Sequence, residues 1–99
     1  MELQQIRYVI AVAQYRSFTK AASALAVSAS TLSEQVRRLE DELGVEIFSR
    51  TTRRVELTLA GHVFLSHASQ IVTGLNALRE AVRHQHRCFN IHPTERLFG

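Results

Sequence analysis

Apolar residues recur at helical spacing through three consecutive stretches at the start of the chain. Each stretch is bounded by residues that start or stop helices. Leu3, Ile6, Ile10 and Ala13, with Val9 alongside, form a stripe that predicts a first helix reaching Tyr15. Phe18, Ala21, Ala22 and Leu25 fall at i, i+3, i+4 and i+7 behind Ser17, a good N-cap residue, and predict a second. Ala29, Leu32, Val36, Leu39 and Leu43 continue the period in a third, with Ser28 placed to cap its start and Gly44 to end it. Only Ala26 and Val27 separate the second and third helices. So short a connection forces a steep crossing, which is the geometry of a helix-turn-helix. The small Ala21, Ala22 and Ala24 let the two axes approach closely, and Phe18 anchors the trihelical core.

The period changes after Gly44. Val45, Ile47 and Phe48 are apolar, the segment from Ser49 to Arg54 is polar, and then Val55, Leu57 and Leu59 alternate with Arg54, Glu56 and Thr58. A period of two is the mark of a strand. Two short extended segments around an arginine-rich tip predict a β-hairpin, the wing of a winged helix. Thr58 is placed to cap a long helix that runs to about Arg87, along which Phe64, Ala68, Ile71, Leu75, Leu78 and Val82 follow in steps of four and three, a heptad seam. At 1.5 Å per residue, roughly 28 residues make about 42 Å of helix, more than the trihelical core can cover. The seam therefore needs another surface. The same helix of a second copy, in a two-fold dimer, is the simplest; folding back on its own domain is the competing arrangement. Pro93 and the loss of periodicity predict an irregular tail. The plan is a mainly α chain: a winged helix-turn-helix over 1–58 (helix-turn-helix about 18–37), a linker and dimerisation helix over 59–87, and a tail over 88–99.

The chemistry lies in what the third helix leaves outside. With Leu32 set inward and about 100° per residue, Ser30, Ser33, Glu34, Arg37, Arg38 and Asp41 point away from the core. Short hydroxyls near a helix N-terminus can approach base edges and phosphates, and the N-terminus itself favours an anion. A solvated helix face is the plainer explanation of the same residues. The rest of the chain tips the balance. Arg50, Arg53 and Arg54 crowd the hairpin tip, where they can follow a phosphate backbone or enter a narrow minor groove. No acidic residue falls between Leu3 and Ser33, the net charge is +3, and every basic residue except Lys20 is an arginine, whose planar fork grips two acceptors at once.

The remaining composition narrows the alternatives. With 99 residues, the chain makes at most one small domain. Its single cysteine, Cys88, excludes an intrachain disulfide and fits the cytoplasm. The apolar run from Tyr8 to Ala13 is too short to span a membrane. No strained nucleophile with a matching base and no phosphate-cradling glycine loop points to an enzyme or a cofactor. His84, His86, Cys88 and His92 cluster in sequence but lack the spacing of a structural zinc site.

From Met1 to about Val82 the chain resembles the N-terminal DNA-binding domain of LysR-type transcriptional regulators. The resemblance is carried by SFTKAASAL at Ser17 to Leu25, Val27 and Ser28, LSEQVRRLEDELG at Leu32 to Gly44, IFSRT at Ile47 to Thr51 and LTLAG at Leu57 to Gly61. It implies double-stranded DNA as the partner, a third helix in the major groove, and a homodimer through the linker helix, with pairing into tetramers left open. Carried over by position, the third helix would contact DNA through Ser28, Ala29, Ser30, Thr31, Ser33 and Glu34, with Arg37 and Arg38 near phosphates. Arg53 would take the wing position, supported by Arg50 and Arg54. Members often carry glutamine where this chain has Ala29 and a basic residue where it has Glu34. Alanine offers only a methyl contact, and a carboxylate repels phosphate although it can accept from cytosine N4. The effector-binding domain of the family, and with it any small-molecule site, is absent from these 99 residues. The rival expectation is a dimerising interaction module, a partner or competitor of full-length regulators, that has lost DNA reading.

Overall fold

The computed structural model describes residues 1–49 and 54–89. Four helices follow in order: α1 (Leu3–Tyr15), α2 (Phe18–Leu25), α3 (Ala29–Leu43) and α4 (Leu59–Phe89). The first three begin and end where the capping residues put them. Glu2 precedes α1 and donates its backbone N–H to Gln5 Oε1 at 3.0 Å. The Ser17 hydroxyl accepts from Lys20 N at 3.1 Å, and the Ser28 hydroxyl accepts from Thr31 N at 3.0 Å. Each satisfies an N–H that the first turn of a helix leaves without a partner. Gly44 closes α3 in the left-handed conformation, φ 71°, which glycine adopts without steric cost.

The turn between α2 and α3 is closed by a residue the sequence pattern does not flag. Ala26 is left-handed, φ 57°, and the turn is tied by Val27 N donating to Ala22 O at 3.0 Å and Ala26 N to Ser23 O at 3.2 Å. These bonds hold a conformation that costs an alanine about 1 kcal/mol relative to glycine.

The chain forms two compact units, Met1–Ser69 and the segment from Gln70 onward. In the first, α1, α2 and α3 pack pairwise around Val9, Val12, Ala21, Leu32, Val36 and Leu39, all fully buried. Ile47 and Phe48 complete this core from the chain that follows α3, and the Phe48 ring meets Phe18 edge-on, centroids 5.7 Å apart. Leu3, at the first turn of α1, is exposed, and so are three further positions expected in the core. Ala24 is exposed because Ala21, Ala22 and Leu25 already occupy the inward rows of α2. Ala29 and Leu43 sit on the inward side of α3 by angle, yet both are exposed, because they lie in the end turns, past the reach of α1 and α2.

The expected hairpin takes a reduced form among the described residues. Phe48 and Leu57 form an isolated antiparallel bridge, with Ser49 N donating to Glu56 O at 2.8 Å and Thr58 N to Ile47 O at 2.9 Å. Leu59 is the first residue of α4, directly after Thr58, and is exposed. Thr58 ends the ladder because its hydroxyl turns to the helix, accepting from Gly61 N at 2.9 Å. The tip, with Arg50 and Arg53, lies outside the described residues.

Helix α4 contributes residues 59–69 to the first unit, where Phe64 packs against the core and Ala68 is buried. The second unit is the continuation of the same helix, which runs two residues beyond the expected end at Arg87 and takes in Cys88 and Phe89. There Ile71, Leu78 and Val82 are exposed and Leu75 is half-buried. No helix among the described residues is long and apolar enough to cross a membrane.

Candidate nucleic-acid interface

The outer face of α3 is built by the same spacing that builds its inner one. With Leu32, Val36 and Leu39 fully buried, Ser30, Thr31, Glu34, Arg37, Arg38 and Asp41 are exposed, as are Ser28 and Ala29 at the N-terminal end; Ser33 is half-buried. Gln5 Nε2 donates to Gln35 Oε1 at 3.2 Å, tying the flank of α3 to α1.

Two of the hydroxyls expected to contact DNA also hydrogen-bond to each other within the helix. Ser28 Oγ accepts from Thr31 N and donates to Thr31 Oγ1 at 2.8 Å, so the pair closes the first turn. The N-terminus of α3 is thereby a fixed, exposed end with backbone N–H groups and a partial positive charge directed outward, suited to a phosphate. Ala29 and Ser30 stand at that end with little bulk between the backbone and an approaching groove.

The carboxylate of Glu34 does not stand alone on this face. Arg38 Nη2 donates to Glu34 Oε1 at 2.9 Å, an i,i+4 pair whose side chains are 64% and 61% exposed. An exposed pair of this kind contributes only about 0.3–0.5 kcal/mol. Arg38 can therefore leave Glu34 for a phosphate at small cost, while in the free protein the pair cancels much of the local negative charge. Arg37 is exposed one position away, and Arg54, also exposed, begins the return from the tip.

Sequence reading missed Glu40. It is 6% exposed, and its Oε2 accepts from Ile47 N at 2.7 Å and Phe48 N at 3.2 Å. A signal for it exists: Glu40 lies eight residues after Leu32, about 80° round the helix, on the inward side.

The profile described as "Bacterial regulatory helix-turn-helix protein, lysR family" matches residues 3–62. Among curated proteins, the HTH-type transcriptional regulator BudR of Klebsiella aerogenes is 48% identical over 83 residues, 84% of this chain and 58% of BudR. The HTH-type transcriptional regulator ShiR of Corynebacterium glutamicum (strain R) is 49% identical over 82 residues, 83% of this chain and 28% of ShiR. The chain thus spans less than two thirds of the length of either relative. Among solved structures, the BenM DNA-binding domain in complex with catB site 1 DNA superposes with a TM-score of 0.83 at 35% identity, covering 86% of this chain and 94% of that one.

Proposed function

Since this chain belongs to the lysR family of bacterial regulatory helix-turn-helix proteins, we propose that it binds double-stranded DNA sequence-specifically, as a dimeric transcriptional regulator in the cytoplasm. The observation that carries the reading is the outer face of α3: a capped, exposed N-terminus bearing Ala29 and Ser30, followed by Arg37 and Arg38 on the same exposed side. A helix held on its inner face by α1 and α2, with that outer face bare, has the form of a major-groove reader. The BenM domain, similar over most of the chain, was solved on DNA.

In this reading Ser28 and Thr31 shape the helix end, Ala29, Ser30, Ser33 and Glu34 face base edges, and Arg37 and Arg38 reach phosphates. Ala29 offers its methyl group to a thymine methyl, and Glu34 can accept from cytosine N4 once Arg38 swings to the backbone. Arg53, flanked by Arg50 and Arg54, makes the wing contact. Ile71, Leu75, Leu78 and Val82 hold the dimer.

Salt titration tests the DNA contacts. Wild-type protein on a duplex should show log K falling linearly with log salt, because each arginine at a phosphate releases counterions. Arg53→Ala should weaken binding and flatten that slope by about one. An unchanged slope removes the wing from the contacts.

A further inference from the structure

The Met1–Ser69 unit carries a bare apolar patch where α3 ends and α4 begins. Val45 is exposed in the turn after α3, and Leu59 and Val63, one turn apart on α4, are 87% and 62% exposed. Thr58 Oγ1 donates to Glu46 O, which brings the start of α4 to the turn that carries Val45. Carboxylates border these side chains, for Asp41, Glu42 and Glu46 are all exposed. Glu42 meets the N-terminal amine of Met1, whereas Asp41 and Glu46 make no ion pair among the described residues.

The unit from Gln70 onward carries a surface of matching shape and opposite charge. Leu78 and Val82 are exposed on one face of α4. Arg79 and Arg83 follow them, each about 100° further round the helix, so they flank the apolar row, and both are exposed. Neither arginine makes an ion pair among the described residues. Contiguous apolar surface with a polar border marks an interaction site on a soluble chain. The row on α4 is by itself narrow, short of the roughly 800 Å² per partner that a specific interface buries.

Resting on the reading above, that the α4 seam holds the dimer, we infer which surface that seam meets: Leu78 and Val82 of one copy cover Val45, Leu59 and Val63 of the other, with Arg79 and Arg83 against Asp41 and Glu46. A two-fold axis makes the exchange reciprocal, so each copy gives one seam and receives one. DNA is not the occupant of the patch, because its phosphates are repelled by the carboxylates. The same patch of a second copy is not the occupant either, because it would set carboxylates against carboxylates.

Sedimentation equilibrium over a range of concentrations gives the dimer Kd of each variant. Leu59→Ser with Val63→Ser should raise it about tenfold or more. Far-UV circular dichroism should stay that of the wild type, since both side chains are exposed within one copy. Asp41→Lys with Glu46→Lys, and separately Arg79→Glu with Arg83→Glu, should each raise the Kd about tenfold at low salt. All four changes together should return it to within about threefold of wild type, because the charges are then exchanged across the contact. An unchanged Kd for Leu59→Ser with Val63→Ser, or a fourfold variant no tighter than the two charge-reversed pairs, overturns the inference. Failure of the parent reading shows separately, since Ile71→Glu with Leu78→Glu would then remain dimeric. Monomers from that variant beside an intact dimer of Leu59→Ser with Val63→Ser would keep the seam and strike only the patch.

Discussion

Gly61→Ala is expected to lower the thermal midpoint by about 15 °C, the equivalent of roughly 3 kcal/mol in a domain of this size. Gly61 is buried in the first turn of α4, and its N–H donates to the Thr58 hydroxyl. A Cβ there would lie 2.1 Å from Ile47 O and 3.0 Å from Leu57 Cδ2. The first of these is backbone and cannot rotate away. Relief would require moving α4 off the chain after α3, and the Ile47 carbonyl is what Thr58 N and Thr58 Oγ1 bind. The substitution thus attacks the cap, the bridge and the packing of Phe64 together. Circular dichroism melts of the two proteins decide it; a midpoint within about 2 °C of wild type would show that the approach of α4 to Ile47 is not needed for the fold.

Ile71→Glu combined with Leu78→Glu should convert a dimer into monomers and reduce affinity for a two-half-site duplex by about 10² to 10⁴, the advantage of joining two binding modules. Ile71 and Leu78 are 51% and 60% exposed on the second unit, one heptad apart, so the changes cost the isolated helix little. Burying either glutamate at a seam would be expensive. Light scattering should report a mass near 11.2 kDa for the variant and twice that for wild type. A variant that remains dimeric removes this seam as the interface. Phe64 and Ala68 do not serve for the same test, since both are packed within their own unit and polar groups there would unfold it.

That contrast marks where the sequence is legible and where it is not. Ser17, Ser28 and Gly44 are local signals with local causes, and the limits of α1, α2 and α3 follow from them. The inner and outer faces of α3 follow from period alone. A heptad row cannot say which of its members a chain's own core will use: Phe64 and Ala68 go to that core, while Ile71, Leu78 and Val82 do not. Thr58, by contrast, is legible as the cap of the long helix, and its hydroxyl accepts from Gly61 N. Glu40 was hidden because a glutamate among the charged residues of a helix reads as solvated, and only the folded chain brings two amides to it. The bond between the Ser28 and Thr31 hydroxyls likewise shows only in the folded chain. Ala26 gives no turn signal, and its left-handed backbone is set by the bonds around it.

A dimer whose bare α3 face reads DNA sequence should select its own sites when the purified protein is incubated with fragmented genomic DNA at several salt concentrations and the retained fragments are sequenced. The retained fragments should be enriched in an interrupted palindrome whose half-sites are separated by whole turns of the duplex, about 10 bp or a multiple, with log K falling steeply as log salt rises. Retention with a steep salt dependence but no enriched sequence, or no retention even at low salt, would contradict a sequence-reading dimer.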